Sequence, residues 1–177
     1  MEIIRKLKMT PDEFFDYLTD GLYEDVLKTV NKNVKRKEIK EGFSYSKNPG
    51  RKGKGALTTI RLKKFEWGKL YQMEAKSAGD TMTVTYKTQV LPDGKLEVRA
   101  TQVINSYEKT KDKKNKLSRG WHDLIYGMRL SNAIYDAQTA VDLKHQGREQ
   151  VQFHLVPKWI RELVQAIQDR RLGKEEE

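Results

Sequence analysis

The side chains in this sequence best suited to binding chemistry are aromatic residues predicted to face the interior from several strands and one helix. They are Tyr45, Tyr71, Tyr86, Trp121 and Tyr126. Inward tyrosines would give an apolar cavity a few polar hydroxyls, the composition typical of small-molecule sites. The alternative is a filled core in which each hydroxyl reaches the surface. The sequence leaves both interpretations open, with Tyr71 and Tyr86 on neighbouring strands as the pair that would line a pocket.

Residue types that catalyse reactions occur here without the spacing that catalysis needs. The three histidines, His122, His145 and His154, include no i, i+4 pair and no HExxH motif, so no metal site is predicted. His122 and Asp123 are adjacent, and adjacent helical residues point about 100° apart, which does not suit a base and its orienting acid. With no cysteine and no G-x-S-x-G motif, we predict no catalytic residue and no cofactor. The sequence leans towards a protein that is not an enzyme.

The positive charge of the chain is concentrated in one segment. The formal net charge is +10, and residues Lys28 to Lys64 contain thirteen Lys or Arg and two Glu, a net +11, so the remainder sums to −1. Such a segment can bind nucleic acid, and Arg51, Lys52 and Lys54 in a glycine-rich loop are the candidate contacts. The loop is not a Walker motif, because no Lys-Ser or Lys-Thr pair follows its second glycine. The other interpretation is a solvated surface that only increases solubility.

Length and composition bound the class of protein. At 177 residues, the chain suits one domain spanning 1–177, with 130–177 as a helical C-terminal extension. The absence of cysteine excludes disulfides and is compatible with a reducing compartment. No apolar run approaches the roughly 20 residues that cross a bilayer, and the first residues lack a signal-peptide core. We therefore expect a soluble cytoplasmic protein of unknown oligomeric state without a membrane span.

The stretch from Thr81 to Ile104 is predicted to form a β-hairpin. Apolar and polar residues alternate on both sides of Pro92-Asp93-Gly94, a sequence with turn chemistry. If Leu91 pairs with Lys95, the residues that share the core face are Val90 with Leu96, Thr88 with Val98, Tyr86 with Ala100 and Met82 with Ile104. The same register places Lys87 opposite Arg99, which is tolerable only on a face exposed to water.

The other elements follow from similar patterns. Residues 2–9 form a weak strand, and Thr10-Pro11-Asp12-Glu13 is a capping box that begins an amphipathic helix, which Gly21 would divide into a pair. Residues 42–47, 57–65 and 69–76 are predicted strands of an antiparallel meander. Residues 105–118 are a predicted loop, followed by a helical stripe that Asn132 and Asp136 interrupt and that stops near residue 147. The apolar positions of that stripe are Trp121, Leu124, Ile125, Met128, Tyr135 and Val141. Pro157 begins a last helix.

This order of elements resembles the helix-grip fold of START-like, Bet v 1-like and polyketide-cyclase-like proteins, in which a curved sheet wraps a long helix around a cavity. More closely, MEIIRKLKMTPDEFFDYL, GFSYSK, FEWGKLYQMEAKS and TVTYKTQVLPDGKLEVRATQ resemble a bacterial domain-of-unknown-function family of Firmicutes (family 3284). The resemblance covers somewhat over half of the chain, and its motifs are determinants of fold. It implies an α+β fold, with a helix-grip-like curved antiparallel sheet packed on a C-terminal helix and an N-terminal helix pair after the first strand.

Two functions from different classes are compatible with these sequence features. The first is a non-enzymatic binding module for a small apolar or amphipathic ligand, which depends on the resemblance of the fold and on the placement of the tyrosines. The second is a nucleic-acid-associated protein that uses the basic surface of residues 28–64. Such binding would be indifferent to sequence and would weaken steeply as salt rises.

Overall fold

The computed structural model describes residues 1–29, 33–48, 57–77, 80–110 and 116–146, and these contain one six-stranded antiparallel sheet and three α-helices. The strands are β1 (Glu2–Leu7), β2 (Ser44–Lys47), β3 (Thr58–Glu66), β4 (Leu70–Ser77), β5 (Asp80–Val90) and β6 (Leu96–Ile104). The helices are α1 (Pro11–Thr29), α2 (Asn105–Thr110) and α3 (Lys116–His145), with a 3-10 turn at Arg36–Glu38. The helix predicted to begin at Pro157 lies outside the described residues.

The sheet is a meander to which the first strand has been added. Its spatial order is β1-β6-β5-β4-β3-β2, so sequential strands are neighbours from β2 to β6 and β1 pairs with the last of them. Helix α3, which follows the sheet in sequence, packs on β1 and on α1. The predicted α+β fold, a helix-grip-like curved sheet packed on a C-terminal helix, is therefore confirmed.

The register of the central hairpin matches the predicted register at every pair. Tyr86 is opposite Ala100, Val90 is opposite Leu96, and the Leu91 amide donates to the Lys95 carbonyl at 2.8 Å. Gly94 has a φ of 78°, the left-handed conformation that the turn requires. Lys87 and Arg99 are opposite each other on the exposed face. Tyr86, Leu96, Val98 and Ala100 of the predicted core face are buried. Val90, at the end of β5, is 55% exposed, so its predicted place in the core is wrong, and Thr85 on the opposite face is buried.

Helix α1 begins with the predicted capping box. The Thr10 hydroxyl accepts from the Glu13 amide at 3.2 Å, and the Glu13 carboxylate accepts from the Thr10 amide at 2.7 Å. The helix then continues through Gly21 to Thr29, so the predicted division at that glycine is wrong. The apolar residues that recur along one side, Phe14, Phe15, Leu22 and Val26, are buried, and this continuous buried stripe outweighs the roughly 1 kcal/mol that one helical glycine costs.

Residues 105–110 and 116–118 are helical, whereas a loop was predicted for residues 105–118. Helix α2 occupies 105–110, and α3 begins at Lys116. The Ser106 amide donates to Asp80 Oδ1 at 2.9 Å, so the cap of α2 comes from the start of β5. A cap supplied from 26 residues away leaves no local sequence signal.

Helix α3 is continuous for 30 residues, and its buried stripe runs past Asn132 and Asp136, which were predicted to interrupt the stripe. Its buried positions are Leu130, Ile134, Ala137 and Val141, spaced to form one helical stripe. Leu124 and Tyr135, which the sequence placed in the apolar stripe, are 51% and 50% exposed. The predicted stripe was therefore wrong at those positions, although the predicted stop near residue 147 agrees with the last helical residue, His145.

Candidate functional site

Tyr71 and Tyr86 lie side by side on the inner face of the sheet. They occupy directly paired positions of β4 and β5, and their ring centroids are 6.3 Å apart. Alternation along each strand directs both side chains inward, where Tyr71 is 3% exposed and Tyr86 is 9% exposed. The structure therefore brings together the two tyrosines that the sequence placed on neighbouring strands.

Aromatic rings from α1 and β3 surround this pair. The Phe14 ring packs on Tyr86 with a centroid distance of 5.8 Å and an interplanar angle of 79°. The Phe65 ring meets Tyr71 at 5.9 Å and 82°. Both contacts have the edge-to-face geometry that aromatic quadrupoles favour. The rings of the two tyrosines thus pack against neighbouring rings, whereas these contacts do not involve their hydroxyls.

Neither hydroxyl of this pair has a hydrogen-bond partner among the residues that the structure describes. Burial raises the pKa of Tyr86 to about 12, and the neighbouring Tyr17 adds to the increase. Burial also raises the pKa of Tyr71 well above its ordinary value, with a further contribution from Tyr86. Both groups are therefore neutral phenols at physiological pH, each with an O–H to donate. In known structures, the large majority of buried polar side-chain atoms have a partner.

Tyr45 differs from this pair because its hydroxyl is satisfied. It donates to the Asp25 carboxylate of α1, which also accepts from Lys47 Nζ at 2.5 Å. Tyr45 is 7% exposed, and its pKa is raised by burial first and then by the hydrogen bond with Asp25. Asp25 and Lys47 are partly exposed, so this cluster lies where the inner face approaches solvent.

A second carboxylate, that of Asp136 on α3, lies near the tyrosines, as its effect on Tyr17 indicates. Tyr17 of α1 is partly buried, and its pKa is raised by burial and then by the charge of Asp136 on α3. Burial in turn raises the pKa of Asp136. Tyr17 adds to the raised pKa of Tyr86, Tyr86 adds to that of Tyr71, and Tyr71 adds to that of Tyr45. These four tyrosines are therefore near neighbours, with Asp25 bonded to Tyr45 and Asp136 near Tyr17.

The other predicted ligand residues are on α3. Tyr126 is half-buried, and the Arg129 guanidinium carbon lies 5.5 Å from the centroid of its ring. Trp121 is within the helix, but its side chain falls outside the described part of the chain. The structure therefore assembles three of the five predicted residues, Tyr45, Tyr71 and Tyr86, on one face of the sheet.

Part of the basic segment is neutralised within the protein. Arg36 pairs with Asp16 and Asp20 of α1, each at 2.5 Å. Lys63 lies 3.8 Å from Glu74, and Lys47 is engaged by Asp25. Arg51, Lys52 and Lys54, the predicted nucleic-acid contacts, lie outside the described residues. The acidic residues of α1 thus offset cations that sequence counting had assigned wholly to a basic surface.

His145 is the histidine whose side chain the structure describes, and it pairs with a carboxylate. His145 Nε2 lies 2.6 Å from the Glu13 carboxylate, which ties the end of α3 to the start of α1. Hydrogen bonding to the Thr10 amide is the main reason that the pKa of Glu13 is lowered. Within the described ranges, no group of three or more His, Cys, Asp or Glu is arranged to hold a metal ion. No helix in those ranges is long and apolar enough to cross a membrane.

Sequence reasoning missed several residues that define the site. Phe14 and Tyr17 are three positions apart on α1, a spacing that places them on one helical face and could have linked Tyr17 to the core. Asp136 was interpreted only as an interruption of a stripe. Asp25 precedes buried Val26, but its bond to Tyr45 spans 20 residues, and no local pattern predicts such a contact.

Comparison with solved structures shows similarity of fold at low sequence identity. A protein of unknown function from Staphylococcus aureus has a TM-score of 0.51 and 15% identity, over 84% of this chain and 95% of that chain. A protein from Chromobacterium violaceum has a TM-score of 0.40 and 14% identity, over 60% of this chain and 81% of that chain. No curated protein matches the chain.

A family model gives the assignment that these structures do not. It is described as a domain of unknown function (DUF3284), and it matches residues 1–122, which include the whole sheet, α1 and α2. The match ends within α3, before the buried stripe that begins at Leu130. The chain therefore belongs to the family described as Domain of unknown function (DUF3284).

Proposed function

We propose that this protein is a non-enzymatic binding module that holds a small apolar or amphipathic ligand against the inner face of its sheet. The observation that carries the proposal is that Tyr71 and Tyr86 are buried side by side and that their hydroxyls have no partner among the described residues. Tyr45, Trp121 and Tyr126 are the further residues that we assign to the walls of the site.

The cost of the unsatisfied hydroxyls supports this proposal. Leaving a buried donor without a partner costs about 1–3 kcal/mol, and the site contains two. A ligand that supplies the missing acceptors recovers that free energy when it binds. The surroundings are aromatic and aliphatic, and an apolar site with a few polar groups is the usual composition of a small-molecule pocket. The analogy with START-like proteins points the same way by association only.

The experiment is native mass spectrometry of the protein, purified gently from the cells that make it, beside a denatured control. We expect an added mass that disappears on denaturation. The double variant Tyr71→Phe/Tyr86→Phe should lose most of that mass, because it keeps both rings and removes only the hydroxyls. Tyr135→Phe, at a half-exposed tyrosine of α3, is the matched control and should retain it.

A bare mass for the wild-type protein would contradict the proposal. In that case a titration with RNA and DNA across salt concentrations would test the alternative function. Binding that weakens steeply as salt rises, and that is abolished by reversing Arg51, Lys52 and Lys54 to Glu, would establish the basic surface as the functional one.

A further inference from the structure

The hydroxyl groups that lack a partner at the inner face of the sheet can act as hydrogen-bond donors. Tyr71 and Tyr86 are neutral phenols, and each has one O–H without a partner in the described part of the chain. They occupy directly paired positions, with ring centroids 6.3 Å apart. A single carbonyl oxygen has two lone pairs and can accept from two phenols on neighbouring strands. The complement to this pair is therefore an acceptor.

The rings do not form an open cage for a cation. An aromatic cage binds ammonium groups through exposed ring faces. Here the Phe14 ring meets Tyr86 at 79°, and the Phe65 ring meets Tyr71 at 82°, both in edge-to-face contact. A cationic ligand would also leave both phenolic hydrogens unsatisfied. The geometry thus favours a ligand that engages the hydroxyls.

The charges around the pair disfavour an anion. Asp25 accepts a hydrogen bond from Tyr45, and Asp136 lies close enough to Tyr17 to raise its pKa. Lys47, the cation beside Tyr45, is already bonded to Asp25. A carboxylate ligand would be desolvated at this buried face, and burying a charge without a paired cation is costly. A neutral acceptor avoids this cost.

We infer that the ligand presents one neutral carbonyl oxygen, as in a ketone, ester or amide, to the hydroxyls of Tyr71 and Tyr86 at the same time. The apolar remainder of the ligand packs along the inner face, where Met73, Ala75 and Met82 are partly buried. This inference depends on the proposed function and specifies the chemistry of its ligand.

The test uses four naphthalene probes that share one ring system and differ in the head group. They are acetonaphthalene, ethylnaphthalene, naphthoate and naphthylmethylamine, titrated into the full chain by calorimetry. We expect the ketone to bind about tenfold more tightly than ethylnaphthalene, because it gains two neutral hydrogen bonds and each contributes about threefold after desolvation. Naphthoate and the ammonium probe should bind more weakly than the ketone.

The variants assign the preference to the two hydroxyls. Tyr71→Phe and Tyr86→Phe should each weaken acetonaphthalene binding about threefold to tenfold and leave ethylnaphthalene unchanged. Tyr135→Phe should change neither. Equal affinity for ketone and hydrocarbon, or a ketone preference that survives both substitutions, would overturn the inference and leave an apolar binding module standing. Tightest binding of naphthoate or of the ammonium probe would also overturn it. Failure of all four probes to bind would remove the proposed function as well.

Discussion

Replacing the three sheet tyrosines one at a time by phenylalanine should change stability in opposite directions. The same oxygen atom is deleted each time, so only its surroundings differ. Tyr45→Phe removes a hydrogen bond to the Asp25 carboxylate. Hydrogen bonds to charged groups contribute about 1.5–3 kcal/mol, and Asp25 is partly exposed and keeps Lys47, so we expect the lower end, a loss of about 1.5 kcal/mol.

Tyr71→Phe and Tyr86→Phe should not destabilise the ligand-free protein. Each removes a buried hydroxyl that has no partner among the described residues, and each keeps the ring contacts with Phe65 and Phe14. Deleting an unsatisfied buried polar group relieves its desolvation cost, so the expected change is a gain of about 1 kcal/mol, the lower end of the roughly 1–3 kcal/mol that such a group costs.

The assay is urea unfolding of ligand-free protein at neutral pH, with thermal unfolding as a second measurement. The m-values should stay constant, because the same surface is exposed on unfolding. For a chain of this size, a loss of about 1.5 kcal/mol lowers Tm by about 3–6 °C. Tyr135→Phe, at an exposed position, should remain within about 0.5 kcal/mol of the wild type.

One result would refute this reasoning. If Tyr71→Phe and Tyr86→Phe each lost as much stability as Tyr45→Phe, the two hydroxyls would be hydrogen-bonded in the folded protein. They would then have no free donor to offer, and the case for a ligand would fall with them.

Three further predictions test the framework around the site. The pKa of Glu13 is lowered below 4.5 in the folded protein, so the stability that its carboxylate contributes is present above pH 4.5 and is lost as pH falls through the lowered pKa. In urea unfolding measured across pH, Glu13→Gln should therefore reduce the loss of stability on the acid side. An unchanged loss of stability in the variant would contradict this prediction. Gly68 has a φ of 73°, so Gly68→Ala should lower the free energy of unfolding by about 1–2 kcal/mol. Gly21 lies in mid-helix with open space for a Cβ, so Gly21→Ala should raise the free energy of unfolding by up to about 1 kcal/mol. Equal effects of the two substitutions in thermal unfolding would contradict both predictions. The pKa of Tyr86 is raised from 10.0 to about 12, so the stability linked to its neutral form is complete below pH 10 and is lost as pH rises through about 12. Tyrosinate absorbance should therefore show that the buried tyrosines titrate late and together with unfolding. Titration of all eight tyrosines near pH 10 in an intact fold would refute this prediction.

The sequence was sufficient where the determinants of structure are local. The hairpin from β5 to β6 was predicted to the residue, because alternation and the turn at Gly94 together specify the register. The capping box that begins α1 likewise needs only four consecutive residues. Tyr71 and Tyr86 could be predicted as neighbours because β4 and β5 are consecutive strands of a meander.

The remainder depends on contacts between distant parts of the chain. Helix α2 is capped by Asp80 from another element, so its polar sequence looked like a loop. The inward side of α3 is fixed by packing on β1 and α1, and the sequence alone placed exposed Leu124 and Tyr135 there. The bond from Tyr45 to Asp25, which separates a satisfied hydroxyl from two unsatisfied ones, joins α1 to β2.

The most direct test of the central claim is a crystal structure of the gently purified protein that shows what lies next to Tyr71 and Tyr86. We predict density for an organic molecule with one oxygen within about 2.6–3.2 Å of both hydroxyls. Hydroxyls bonded to protein groups, or rings packed with no adjoining space, would contradict the account.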